Sequence, residues 1–299
     1  MKLDEYINRH RDVLNEAVDQ FKRADRILIG AGAGLSAAAG IDYYDTEMFK
    51  KLFPSLVRKG FTHQYQLVGY HDWTPEQDWA YYAVHINHFR YQVPPSPIYK
   101  ALYHILKNKD YFVMTSNVDG MFYRTGFDTQ RIFAPQGAYD QMKCIHSCTE
   151  ETWDIRPTLD ILLQHIDHDR LEVKDPRLLP RCAYCGGLLV PNIRGGYRQS
   201  KHYAEMVNRL NEWLHSSLNM NLLVMELGAG LHTPIVIRWP MEKLTHQHPR
   251  ATLFRVNDHK AEVPERIRHK SITMAANAGN VIYAMKKLLN SKQKQSSLR

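Results

Sequence analysis

All four cysteines of the chain fall in two close pairs, Cys144-x-x-x-Cys148 and Cys182-x-x-Cys185. Four thiolates in two knuckles form the donor set that encloses a tetrahedral zinc ion, and in a reducing compartment such pairs point to metal rather than disulfides. Gly186-Gly187 lets the chain turn behind the second knuckle. With no coordination position left open, the ion is expected to be structural; His146, inside the first knuckle, reads as exposed rather than as a ligand. A second kind of chemistry is written in Gly30-Ala31-Gly32-Ala33-Gly34-Leu35-Ser36, which follows the apolar run Ile27-Leu28-Ile29 and precedes Ala37-Ala38-Ala39. Bare glycines between a buried strand and a helix start let a diphosphate approach backbone N–H groups, so the expected ligand is a dinucleotide. The same small residues, in the pattern Gly32-x-Gly34-x-x-Ala37, also serve tight helix-on-sheet packing.

The elements that must position these residues follow from periodicity. Leu3 to Phe21 has helical spacing and leads into the glycine-bearing strand. Tyr43 to Pro97 is aromatic and uneven, and reads as a helical cap. From Pro97 a helix precedes the strand Tyr111 to Thr115, which ends in Ser116-Asn117-Val118-Asp119-Gly120; a short strand, Arg131 to Ala134, ends in Pro135-Gln136-Gly137-Ala138. Residues 140–195 break this rhythm and hold every cysteine, so they read as an insertion, with Thr158 to Ile166 helical inside it. Thereafter come a helix, Lys201 to Leu218, a strand, Asn221 to Leu227, ending in Gly228-Ala229-Gly230, and another, Ala251 to Val256, ending in Asn257-Asp258. Ser271 to Met274 reads as the last strand and Ala275 to Leu289 as the last helix. The class is α/β, and four strand ends bearing small or polar residues define a ligand cleft at one edge of a parallel sheet.

Composition narrows the field. With 299 residues, 44% hydrophobic and 23% charged, the chain can bury one large α/β domain with a small satellite. Charges throughout residues 1–24 leave no signal-peptide core, and no apolar run reaches membrane-spanning length, so the expected location is the cytoplasm and no membrane partner is expected. A formal net charge of +8 suits an anionic cofactor or an acidic protein partner. Without a basic helix face or a strand interleaving basic and aromatic residues, nucleic acid is disfavoured. The end of the chain, 291–299, reads as a frayed, solvated tail.

Taken together these residues resemble the sirtuin family. Gly32-Ala33-Gly34-Leu35-Ser36 followed by Gly40-Ile41 is similar to that family's Gly-Ala-Gly-Ile-Ser…Gly-Ile signature, and Thr115-Ser116-Asn117-Val118-Asp119-Gly120 to its Thr-Gln-Asn-Ile-Asp-Gly. Cys182-x-x-Cys185-Gly186-Gly187-x-Leu189-x-Pro191 is similar to its second zinc knuckle. The resemblance spans roughly residues 24–289 and implies a Rossmann-like NAD-binding domain with helices on both faces, from 1–139 and 196–299, carrying a cap at about 43–97 and a zinc-ribbon insertion at 140–195. It implies NAD as substrate and a structural zinc on Cys144, Cys148, Cys182 and Cys185. The NAD-binding residues it implies are Gly32, Ala33, Gly34, Ser36, Asp42, Ser116, Asn117, Asp119, Gln136, Gly228, Ala229, Gly230, Asn257 and Asp258. Among these Asn117, Asp119 and Gln136 are the expected catalytic residues, although an acidic residue at position 119 also suits a turn cap.

The departures from the family pattern bear most on function. Sirtuin deacylases carry His-Gly where this chain has Gln136-Gly137. A glutamine amide holds a hydroxyl by hydrogen bonds but has no usable pKa near neutrality, so it cannot take the proton that the imidazole takes. The usual Pro-Asp-Phe-Arg is here Asp42-Tyr43-Tyr44-Asp45, with Asp42 taking the aspartate position if one residue is deleted. The usual Gly-Thr-Ser is Gly228-Ala229-Gly230, and the strand that docks acyl-lysine peptides is replaced by Asn192-Ile193-Arg194-Gly195-Gly196. This combination resembles the macrodomain-linked, or class M, microbial sirtuins. It implies an NAD-dependent protein ADP-ribosyltransferase acting on an acidic or lipoylated carrier protein related to the glycine-cleavage H protein, with a macrodomain hydrolase acting in opposition. The rival expectations are a lysine deacylase and a catalytically silent NAD sensor.

Overall fold

The computed structural model describes residues 1–67, 69–193 and 201–296. Apolar and β-branched runs form the strands β1 (Arg26–Ala31), β2 (Asp110–Thr115), β3 (Ile132–Phe133), β4 (Gly137–Cys144), β5 (Thr152–Asp154), β6 (Ile166–Asp167), β7 (Glu172–Val173), β8 (Leu189–Ile193), β9 (Leu222–Leu227), β10 (Ala251–Val256) and β11 (Ser271–Met274). Six of them make one sheet in the order β11-β10-β9-β1-β2-β3, with every pairing parallel. The chain leaves β1 toward β2 and β3, then returns to build β9, β10 and β11 on the other flank. The order therefore reverses between β1 and β9, the switch point at which open α/β sheets form a crevice.

Helices cover both faces. They are α1 (Leu3–Arg9), α2 (Arg11–Arg23), α3 (Ala33–Ala38), α4 (Thr46–Leu52), α5 (Pro54–Arg58), α6 (Pro75–Ile86), α7 (Pro97–Leu106), α8 (Arg156–Leu162), α9 (Lys201–His215), α10 (Arg238–Gln247), α11 (Glu265–Arg268) and α12 (Ala278–Ser296). Side chains alternate along a strand, so Ile27, Ile29 and Ala31 of β1 join one core with Leu14, Leu102 and Val281, while Leu28 joins another with Leu210 and Met241. Local signals set several boundaries. Ser96 caps α7 ahead of Pro97, and Thr74 and Gln77 form a reciprocal capping box around Pro75 at the start of α6. Three elements depart from the sequence reading. The N-terminal helix breaks at His10, the helix expected over Thr158 to Ile166 runs Arg156–Leu162, and the last helix continues to Ser296 through much of the expected tail.

The cysteine-bearing segment contributes a three-stranded antiparallel sheet, β5-β4-β8, and the hairpin β6-β7. Its core is shared with the aromatic cap: Phe49, Phe53, Leu56 and Trp79 pack in one cluster with Tyr139, Met142, Cys144, Leu159 and Cys182. Trp79 is fully buried and its Nε1 donates to the Leu189 carbonyl of β8 at 3.0 Å. After α6 the helix widens into a π-turn at Asn87–Gln92, an irregularity often found beside functional sites. Arg194, Gly195 and Gly196 of the altered peptide-docking segment lie outside the described residues.

One buried charge cluster braces the far flank. Arg255 of β10 and Glu226 of β9, both with no exposed side-chain surface, form a two-point pair at 2.7 and 2.8 Å, and Arg255 also donates to Glu242 of α10 at 2.9 Å. Arg238 joins at 3.6 Å from Glu242, so two cations meet two anions. Arg255 and Arg238 spend their remaining donors on the carbonyls of Lys260 and Glu262. The cluster thereby fixes the loop that follows Asn257 and Asp258. Breaking one partner of such a buried pair typically costs about 3–5 kcal/mol, because the other charge is left unpaired.

Candidate active site

The sheet register aligns the strand ends. Ala31 of β1 stands opposite Thr115 of β2 and Leu227 of β9, and Leu227 stands opposite Val256 of β10. Gly32, Ser116, Gly228 and Asn257 are therefore each the first residue beyond the same edge. Backbone contact ties them together: Gly32 N–H donates to the Leu227 carbonyl at 3.1 Å, Gly34 N–H to the Gly228 carbonyl at 2.9 Å, and Ser116 N–H to the Ala31 carbonyl at 3.0 Å. A Cβ on Gly32 would sit 2.6 Å from Ala229 Cα, and one on Gly34 would sit 2.9 Å from Gly228 Cα. Gly228 itself has φ +66°, a left-handed conformation open mainly to glycine. These glycines let two loops touch at the switch point. Gly30 differs from the sequence reading, because it lies inside β1 and its missing Cβ makes room for Met241 and Ile237 of the helix above.

The polar residues gather over that contact. Ser36 Oγ donates to Asp119 Oδ2 at 2.6 Å, and Met121 N–H donates to Asp119 Oδ1 at 2.8 Å. Asn117 Nδ2 donates to the Gly32 carbonyl at 3.0 Å, while its own N–H is held by Thr115 Oγ1 at 3.0 Å. Tyr99, fully buried on α7, reaches both Ser36 Oγ and Asn117 Nδ2 at 3.4 Å. Burial pushes the Asp119 carboxyl above its ordinary range, against the Ser36 and Met121 hydrogen bonds and the nearby charges of Arg90 and Arg124. Burial likewise holds the Tyr99 phenol well above its ordinary value.

On the β9 side, Asn257 Nδ2 donates to the Ala229 carbonyl at 2.9 Å, and Asn257 Oδ1 accepts from the amides of His259 and Lys260. Ala33, Gly34, Gly230 and Asp258 are exposed. Asp42 is half-buried and accepts from the Tyr44 amide at 2.9 Å, while Asp45 caps α4. Gln136 is half-buried in the turn before β4, where Gly137 has φ +79° and packs directly on the Asn192 carbonyl of β8. A close packing of backbones thus fixes the residue that carries the amide.

Several residues meet near the cleft in ways the sequence does not show. Tyr43 and Tyr139 share a hydrogen bond at 3.0 Å, and Tyr139 is bonded to His85 at 2.8 Å. Tyr65 stacks on Tyr44 and on His232, joining the cap to the loop after Gly230. Arg90 pairs with Asp140 at 2.6 Å, and its guanidinium fills the space a side chain on Gly120 would take, where φ is +72°. No spacing marks these residues, because each reaches the site through the cap's tertiary packing.

The four cysteines converge as expected. Their sulfurs all lie within 4.8 Å of one another, with contacts of 3.5 Å from Cys144 to both Cys148 and Cys185 and from Cys148 to Cys182. Zinc–sulfur bonds of about 2.3 Å in a tetrahedron require sulfurs roughly 3.8 Å apart, so the set fits the ion. His146 is exposed and its ring rests on Gly187.

A family profile described as the Sir2 family matches residues 32–232. The chain belongs to the Sir2 family, the sirtuins. A Fusarium oxysporum protein called a probable bifunctional ADP-ribose hydrolase/ADP-ribosyltransferase is 34% identical over 257 residues, 83% of this sirtuin but only 43% of that longer relative. A Staphylococcus aureus protein ADP-ribosyltransferase is 25% identical, covering 92% of this chain and 86% of the relative. A Pseudomonas aeruginosa NAD-dependent protein deacylase 2 is 28% identical over 58% of this chain and 60% of its own. Among solved structures, a complex of a Sir2 homologue with NAD superposes with a TM-score of 0.57 at 15% identity, covering 93% of this chain and 94% of that one. These relationships place the Rossmann-like sheet and the four-cysteine module of this sirtuin in a known fold. Among the described residues, no helix is long and apolar enough to cross a membrane.

Two outcomes follow. Purified protein should hold one zinc per chain by elemental analysis, and Cys182→Ser should lose it and with it the cooperative unfolding of the cap, since structural zinc contributes on the order of 10 kcal/mol to such folds; a stable, metal-free variant would contradict the shared core. The second concerns Asp119, whose folded pKa lies above the unfolded value of about 3.9. Native protein then binds that proton more tightly, so this component of stability is present near about pH 4 and is lost as pH rises through the folded pKa. Asp119→Asn should lack that slope in urea unfolding as pH rises above about 4, whereas parallel profiles for the two proteins would contradict it.

Proposed function

We propose that this sirtuin transfers ADP-ribose from NAD to a side chain of a carrier protein and releases nicotinamide. The observation that carries the reading is Gln136: this chain has an amide at the position where the family's deacylases have an imidazole. NAD would lie extended, with its pyrophosphate over Gly32, Ala33, Gly34 and Ser36, adenosine toward Gly228, Ala229, Gly230, Asn257 and Asp258, and nicotinamide near Asp42, Ser116, Asn117 and Asp119. Breaking the bond between nicotinamide and ribose builds positive charge on the sugar. A buried carboxylate and oriented amide dipoles stabilise such charge without covalent chemistry. Asn117 would orient the ribose and Gln136 would hold its hydroxyls. The attacking group then comes from the target protein.

Relatives named as ADP-ribosyltransferases support this reading, and the hydrolase in one of their names supports a macrodomain partner acting in opposition. The resemblance to class M sirtuins supports an acidic or lipoylated carrier as target. A second reading, lysine deacylation, draws on the relative named as a deacylase. Labelled NAD incubated with the protein and a lipoylated carrier separates them. Label should move to the carrier, and Asn117→Ala should reduce transfer by about 100-fold, the scale of losing one transition-state dipole. Loss of acyl groups from a lysine peptide in step with nicotinamide release, with no label on the carrier, would overturn the transferase reading.

A further inference from the structure

A buried hydrogen-bonded chain leads away from the same cleft. Tyr43 OH and Tyr139 OH are 3.0 Å apart, Tyr139 OH and His85 Nε2 2.8 Å, and His85 Nδ1 and Tyr81 OH 3.4 Å. Tyr81, His85 and Tyr139 are each at most 5% exposed, whereas Tyr43 is half-buried and directly follows Asp42. The chain passes beside the site: Tyr139 N–H donates to the Val118 carbonyl at 3.1 Å, between Asn117 and Asp119, and the Asp119 charge acts on the Tyr43 phenol. Tyr139 also stands three residues beyond Gln136 on β4. A histidine, the usual proton acceptor near neutral pH, thus sits behind two phenols in a protein whose position 136 carries an amide instead.

We propose that His85, acting through Tyr139 and Tyr43, receives the proton released when the target side chain attacks ribose. The inference rests on the transferase reading above. The bond from C1′ of ribose to nicotinamide nitrogen breaks, and nicotinamide, cationic in NAD, leaves neutral with the electron pair. The nucleophile forms the new bond to C1′ and gives its proton to Tyr43 oxygen, while the Tyr43 proton passes to Tyr139 and the Tyr139 proton to His85. The product is an imidazolium in the cap. Burial, with Tyr139 and Asp119 beside it, holds the Tyr43 phenol well above its ordinary pKa, so Tyr43 passes a proton without storing charge. Storage falls to the imidazole. His85 and Tyr139 are relay residues rather than groups touching the sugar.

The titratable groups packed against this chain are Tyr65, edge-on to the Tyr43 ring, Tyr82, against Tyr81, and Asp119 from the segment after β2, whose charge acts on the Tyr43 phenol.

The test uses full-length protein with water as the acceptor and follows nicotinamide release from NAD across pH, together with NAD affinity by calorimetry. His85→Gln keeps a side chain able to hydrogen-bond Tyr139, and Tyr139→Phe keeps the ring. Both should bind NAD with unchanged affinity and unfold at wild-type temperature, yet lose about 10²-fold or more in kcat, the lower range for a general base. In His85→Gln the fall in rate on the acidic side should also disappear. Wild-type rate and pH profile in both variants would overturn the relay alone. If wild-type protein releases no nicotinamide to water or carrier, the transferase reading and the relay fall together.

Discussion

The backbone contact between Gly32, Gly34 and the Gly228-Ala229 turn is the constraint from which the site follows. Parallel register brings the ends of β1 and β9 level, and the absence of two Cβ atoms lets the loops beyond them touch. Once those loops meet, the Gly34 N–H is committed to Gly228 and the rest of the edge is set out around them. Asn117 reaches the Gly32 carbonyl from one side, and Asn257 reaches the Ala229 carbonyl from the other. The same contact therefore orders both ends of the edge on which the proposed NAD site lies. A methyl group at either glycine would have to separate the loops before any ligand chemistry began.

Behind this edge, two different supports hold the walls. On the β10 side, the buried pairing of Arg255 with Glu226 and Glu242 gives no catalytic group, but its spare donors tie down the loop after Asn257. On the β2 side, the cap and the four-cysteine module share one core. Cys144 ends β4, the strand that begins at Gly137, so the metal site and the turn carrying Gln136 are the two ends of one short ladder. An ion held by these cysteines would act on the cleft through the placement of this strand.

Much of this was legible in the sequence, for physical reasons that also explain what was not. The runs Ile27 to Ile29 and Asn221 to Leu227 announce central strands because parallel strands are buried on both faces. The cysteine pairs announce their convergence because ligand spacing is a local property. Glycine at 32 and 34 signals close approach, but not what approaches: the sequence suggested a diphosphate, and the structure places another loop there first. The chain Tyr43, Tyr139 and His85 was illegible, since its members lie in three elements joined only by the fold. Trp79 and Tyr81, whose aromatic stretch reads equally as a ligand-facing cap or as core, are core and position His85 on the same helix.

The most direct measurement of the account is a crystal structure of this protein with NAD bound. It should show the pyrophosphate crossing the strand edge between Gly32 and Gly228, the adenosine beside Asn257, and the nicotinamide ribose within hydrogen-bond reach of Asn117 and Gln136. A dinucleotide seated elsewhere, or one whose ribose faces away from Asn117 and Gln136, would contradict it.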